Sequence, residues 1–389
     1  LEEGIAVGIK VERLFILFIS VALISGCNFP GLGAAEQAPA SPSEPAKLCG
    51  DGVCSGPENP SNCPEDCAQE PVGPQPTAHA PESTALPAEI PGKPVLYLGI
   101  MVHLEGWEDG QVQEKFEKHV DLIREYADLF EAYGAKLTLE SKEVTDGVLR
   151  WGDNVLLEME GRGHGIGVHA DIGGQLNYNC DRLASQLRRE REQLEQLGVN
   201  VRHVSGNTSH CDWVAATIQA GYVFTTGQVA YSVMSMPVEE RPPEYRDCQS
   251  PGECHDTFPA NLVDRLHPWR ASSGLDWLTH DPNGGLVLLA SSQMIQCVEE
   301  ELAGTYDAGC EFNVKDIAAF EGELQDALAL VDPGKVNILY VAWSLGSALD
   351  QDLLGQWLAS IQPFVEQGQV QWATLPEMYD AYVAWEANQ

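Results

Sequence analysis

The chain has 389 residues, with 58 Asp and Glu against 22 Lys and Arg, and a formal net charge of −36 at pH 7. That balance excludes nucleic acid and anionic membrane surfaces as electrostatic partners, because both are held through basic patches. It suits a soluble surface in salty or cation-rich surroundings.

Lys10 and Arg13 precede an apolar run over residues 14–23, followed by Ile24-Ser25-Gly26-Cys27. A short apolar core behind basic residues and ahead of small ones has the anatomy of a secretory signal. The run is shorter than the ~20 apolar residues that a membrane-spanning helix needs. Ile-Ser-Gly-Cys also resembles the lipobox of prokaryotic lipoproteins. That resemblance implies a lipid on Cys27 and an extracytoplasmic protein anchored to the membrane by it. Cysteine usage agrees with export: of 11 cysteines, setting Cys27 aside leaves an even ten, as paired disulfides require.

Residues 28–48 and 68–92 are rich in Pro, Ala, Ser and Glu and read as extended spacers. Between them, CGDGVCSGPENPSNCPEDC (49–67) packs four cysteines into 19 residues, a small module held by two disulfides. It looks like CGDGxC…CPxDC modules of secreted microbial proteins. Asp51, Glu58, Glu65 and Asp66 offer oxygen ligands for calcium, although a solvated acidic turn is the simpler reading.

From residue 93 to 389 the pattern is β then α, repeated. Residues 94–103 (PVLYLGIMVH) are near-continuously apolar, as in a strand buried on both faces, and helical periodicity follows over 112–133. Further strands are expected at 135–139, 165–170, 201–205, 222–225, 286–290, 336–342 and 370–372. Helices are expected at 154–160, 180–197, 212–220, 316–330, 353–367 and 376–387. An irregular insertion rich in Pro, Cys and Trp spans about 230–283. Seven or eight βα units in ~290 residues suit a parallel barrel better than an open sheet. No GxGxxG follows the first strand, which lowers nucleotide binding.

In such a barrel, chemistry collects where strands end. His103-Leu104-Glu105 ends the first strand and His169-Ala170-Asp171 the third. Residues i and i+2 of a strand point the same way, so each pair aims an imidazole and a carboxylate together. That combination can hold a divalent ion, zinc above all, that activates water. Glu105, His169 and Asp171 are the candidate ligands, and His103 is the candidate general acid or base. His203 and His210 flank a polar loop after the fourth strand. Asn207 in that loop, with Trp269 and Arg270 in the insertion, are candidates for substrate contact. The two insertion residues read equally well as parts of its own mini-core, and Cys248 and Cys254 are close enough to pair within it.

GHGIGVHAD (163–171) resembles the second motif of polysaccharide deacetylases of the NodB-homology type, whose GHEIGNH-like strand carries a metal histidine. The match falls on His169. MVHLEGW (101–107) is similar in position to their first acidic motif, with Glu105 matching an acid and His103 standing where an aspartate would. VNILYVAWSLGS and VQWATLPEMYDAY look like the end of that fold. The resemblance covers about residues 95–382. It implies an α/β chain with a (β/α)7–8 barrel of the glycoside hydrolase/deacetylase type, behind a small disulfide-rich module. It also implies metal-dependent hydrolysis of acylated or modified glycans. The departures are specific. Gly173 stands at the second metal histidine, HVSGNTSHCDW replaces the Arg-x-Pro motif, and Trp343-Ser344 replaces the late catalytic histidine. Asp171 or His210 would complete a rearranged site. Alternatively, the chain is a non-catalytic glycan-binding surface lipoprotein, or a metallohydrolase of another bond such as a glycosidic one.

Overall fold

The computed structural model describes residues 94–389 apart from 176, 251–253, 255–265, 291–292, 304–309 and 346–348. The signal segment, Cys27, both spacers and the Cys-rich module with its calcium candidates lie outside the described residues.

The first strand, β1 (Leu96–Leu104), sets the architecture. Its even-numbered residues, Leu96 to Leu104, pack with Phe116, Val120, Ile123 and Tyr126 of α1 (Gln113–Glu131) in the layer between sheet and helices. Its odd-numbered Tyr97 and Met101 face the other way. They join a separate cluster with Phe224, Val287, Ile338, Tyr340 and Ala342. Those partners come from β5 (Phe224–Thr225), β7 (Leu286–Leu288) and β9 (Asn337–Ser344). Strands several places apart in one sheet share a core only if the sheet curls, so this cluster is the interior of a barrel.

Strand pairing gives the same answer. The remaining strands are β2 (Leu137–Ser141), β3 (Gly165–His169), β4 (His203–Ser205), β6 (Trp269–Ala271), β8 (Gln293–Met294) and β10 (Val370–Trp372). The order is β6-β7-β5-β4-β3-β2-β1-β9-β8, with β10 on the first half of β1. Every pair is parallel except β6 with β7. Across the seam, Tyr340 of β9 accepts from Gly227 N–H at 2.9 Å and donates to the Leu289 carbonyl at 2.6 Å. The fold is a β/α barrel. Its N-terminal end is plugged by α9 (Leu375–Glu386), whose Leu375, Met378 and Tyr382 belong to the interior cluster.

The helices form where expected, with local signals at their starts. Thr374 and Glu377 make a reciprocal capping box on α9, and Asn313 with Asp316 does the same for α7 (Val314–Leu330). Several elements differ from the sequence reading: β6, β8 and a short helix over Val298–Ala303 were not expected, and two more differences bear on the site. β2 runs on through Glu140 and Ser141, because the acid that looked like a strand end is a buried inward residue. A helix, α2 (Glu143–Trp151), was not expected, since a mid-helix Gly147 weakens its periodicity. Gly147 is there for space: a Cβ would meet the Phe116 ring at 2.3 Å.

The later cysteines pair as Cys180–Cys211, Cys248–Cys254 and Cys297–Cys310. The first ties the start of the α4 region (Leu183–Glu195) to the loop after β4. The second lies inside the insertion, where Trp269 stacks on Trp277 and donates to its carbonyl at 2.8 Å. Trp269 is thus part of the insertion's packed core.

Candidate metal centre

On β1, β2, β3 and β4 the inward positions at the C-terminal ends are His103, Glu140, His169, and the pair His203 and Ser205. Strand alternation alone aims them at one point. Ligand atoms of His103, Glu140 and His169 all lie within 4.8 Å of one another. The His103 and His169 rings stack at 3.9 Å. These histidines, with Glu105, Asp171 and Ser205, line a cavity of about 300 Å³ at the barrel mouth.

Glu140 is the buried centre, with no exposed surface. Its Oε1 accepts from Thr226 Oγ1 at 2.6 Å, and its Oε2 accepts from Ser205 Oγ. His103 Nε2 lies 3.2 Å from Oε2 and His203 Nε2 lies 3.3 Å from Oε1. Burial by itself would raise the Glu140 pKa. The two imidazoles more than offset it and hold the carboxyl below the usual range.

Ser205 then fixes a tautomer. Its proton goes to the acceptor-only Glu140 carboxylate, so its oxygen must accept from His169 Nδ1, 2.8 Å away. With the proton on Nδ1, a neutral His169 presents a lone pair at Nε2, the arrangement of metal-binding histidines held by a hydrogen-bonded neighbour. Facing that lone pair, 3.4 Å away, is Glu105 Oε2. Two acceptors at this distance need a positive charge between them. Burial, and then the charge of His103, push the His169 pKa down and disfavour a second proton. Where a proton does sit on Nε2, its hydrogen bond to Glu105 is the largest cause holding that carboxyl down at about 2, against burial, with the charges of His169, His103 and Lys142 adding to it. His103 Nε2 is likewise buried, with the Glu140 carboxylate as its ion-pair neighbour at 3.2 Å and no further hydrogen bond among the described residues. A divalent cation fits this donor set.

Two glycines make room. A Cβ at Gly167 would meet His203 Nε2 at 2.1 Å. At Gly206, φ is +61° and a Cβ would come within 2.6 Å of the Asp171 nitrogen and 3.2 Å of His169 Cε1. Gly167→Ala is expected to destabilise the protein by about 1–3 kcal/mol through overpacking. Gly161→Ala, where a Cβ meets nothing within 4 Å among the described residues, is expected to be close to neutral. Urea unfolding of both variants checks the pair.

Of the residues singled out in the sequence, His103, Glu105 and His169 come together. Asp171 sits on the cavity wall, but its mostly exposed carboxylate pairs with Lys142 at 2.9 Å, outside the His103/Glu140/His169 group. His210 Nε2 instead lies 3.6 and 3.8 Å from the sulfurs of the Cys180–Cys211 disulfide. Asn207 is buried, giving a hydrogen bond to Thr217 at 2.7 Å and taking one from Thr225 at 3.2 Å, so it has structural partners. Trp269 and Arg270 are away from the mouth; Arg270 holds Glu386 of α9. Glu140 and Ser205 were missed. The available signal was two-residue alternation from Thr138 to Glu140, an acid where an apolar inward residue would be ordinary.

Fold and site together define a β/α barrel with a metal-capable His/Glu cluster at its C-terminal mouth. No protein-family model and no curated protein sequence matches the chain. Among solved structures, it is similar to a polysaccharide deacetylase, by designation, from Mycobacterium smegmatis (15% identity, TM-score 0.49, covering 77% of this chain and 94% of that one). It is also similar to one so designated from Pseudomonas aeruginosa PAO1 (13%, TM-score 0.47, 76% and 93%). A third is the Puue allantoinase (13%, TM-score 0.44, 76% and 92%).

Proposed function

We propose that this protein is a metal-dependent hydrolase acting on acylated or otherwise modified glycans, exported and held at the membrane through Cys27. The observation that carries the hydrolase reading is the meeting of ligand atoms of His103, Glu140 and His169 within 4.8 Å of one another, with Glu105 Oε2 3.4 Å from His169 Nε2. The glycan rests on the deacetylase-like GHGIGVHAD sequence, and the anchor on Ile24-Ser25-Gly26-Cys27.

His103, Glu140 and His169 would hold the ion. A divalent ion there would polarise an acyl carbonyl and ease ionisation of water. Glu105, ionised and half-buried on the wall, is placed to accept the proton of the attacking water. Lys142 spans Glu105 at 3.3 Å and Asp171 at 2.9 Å, steadying both carboxylates at the rim. In this reading His103 and Glu105 exchange the roles that their order in the sequence suggested.

The test is metal analysis of the purified full chain, paired with acetate release from acetylated glycans. About one equivalent of zinc or another divalent ion is expected, with hydrolysis lost on chelation. A chain that purifies without stoichiometric metal and releases no acetate would be the glycan-binding lipoprotein instead.

A further inference from the structure

A second, larger cavity of about 860 Å³ lies at the opposite end of the barrel, lined in part by Arg270, Leu278, Tyr382, Trp385 and Glu386. β9 measures the separation. The strand begins beside Lys335, which lines this cavity, and ends at Ser344, which lines the metal-centre cavity. Eight strand residues at ~3.3 Å each put the two cavities roughly 25 Å apart. The cavity opens partly to solvent, and its volume falls in the range of small-ligand sites.

The lining combines two chemistries. Tyr382 and Trp385 stand together with ring centroids 5.7 Å apart. The Trp385 indole N–H is tied to the Gly334 carbonyl at 2.8 Å, so its edge is anchored while the ring borders the cavity. Next to them Arg270 grips Glu386 with Nε at 2.8 Å and Nη2 at 2.7 Å, and Nη1 holds the Gly284 carbonyl at 3.1 Å. A guanidinium has five N–H groups, so these bonds leave two, while the Glu386 carboxylate also takes a hydrogen bond from Tyr382. The pair is therefore a rigid fork with two N–H groups to spare, its own charges cancelling, and Lys335 stands elsewhere on the same wall. The partly exposed Trp385 ring suits the C–H face of a pyranose, with the buried Tyr382 packed beside it, and the remaining guanidinium N–H groups suit neighbouring hydroxyls. An anionic ligand would meet Glu386, and a cationic one Arg270 and Lys335.

We propose that this cavity is a second carbohydrate site, binding a neutral oligosaccharide independently of the metal centre. It would hold a glycan chain without reacting with it.

The experiment is calorimetric titration of the full chain with cellohexaose, xylohexaose and N-acetylated chitohexaose. At least one hexaose is expected to bind. Its Kd should weaken by about tenfold or more, ~1.4 kcal/mol, in Trp385→Ala and in Leu278→Trp, which fills the cavity without deleting a contact. The same Kd should be unchanged in His169→Ala. Circular dichroism and urea unfolding confirm that each variant folds. No binding by any hexaose overturns the proposal, as does binding that survives Leu278→Trp or disappears with His169→Ala. Because His169→Ala removes the metal centre alone, failure here is distinguishable from failure of the hydrolase reading.

Discussion

Glu105→Gln is expected to slow hydrolysis by about 10²–10⁴-fold while metal content stays at the wild-type level. The amide keeps the size and hydrogen-bonding reach of the side chain but cannot take a proton. If Glu105 is the acceptor for the water proton, kcat falls and KM moves little, because the lost interaction belongs to the transition state. His169→Ala should behave differently, losing metal and activity together. Metal content by plasma spectrometry, set beside kcat and KM, separates the two roles. Loss of metal in Glu105→Gln would make Glu105 a ligand, as its place in the sequence motif suggested. Unchanged turnover in His169→Ala would remove the hydrolase reading.

Glu140→Leu is expected to cost about 3–5 kcal/mol of stability and to abolish metal binding. The carboxylate is wholly buried and serves Ser205, Thr226, His103 and His203 at once. Removing one member of a buried charged network leaves the others without compensation, which is where that magnitude comes from. The pH dependence has a definite sign. Glu140 titrates below its unfolded value, near 4.3, so its contribution is complete above that pH and fades as pH falls through the lower folded value. Glu105, held at about 2, adds in the same direction between about pH 4 and 2. Urea unfolding across pH 2–7 should show a weaker acid limb in Glu140→Leu than in the wild type. Equal acid sensitivity in both would show that Glu140 is not the linked group.

Much of the barrel was legible because strand burial and helical periodicity are local. PVLYLGIMVH is apolar on both faces and could only be an inner strand, and the expected helices fall within a few residues of those observed. Within the site, His103 with Glu105 and the strand-end His169 were legible for the same reason, since i and i+2 on a strand share a face. Glu140 was not. Its neighbours in sequence, Leu139 and Ser141, say nothing of an acid at the barrel centre; only the parallel register, with His103 opposite Glu140 and His169 opposite Ser205, brings them together. Asp171 shows the converse. It keeps the His-x-acid spacing, but at φ +46° its backbone has left the strand, so its carboxylate goes to Lys142 rather than to the His/Glu group.

The sequence by itself determined the alternation of buried strands and amphipathic helices, the strand ends that carry imidazole and carboxylate, and the even count of cysteines beyond Cys27. Each of these is set by interactions within a few residues or by composition. The tertiary structure alone decided the strand order, the Cys180–Cys211 and Cys297–Cys310 pairings, the plugging of one barrel end by the last helix, and the gathering of His103, Glu140, His169 and Ser205. Those depend on which strands lie side by side and in what register, and that choice is made by packing the whole core at once.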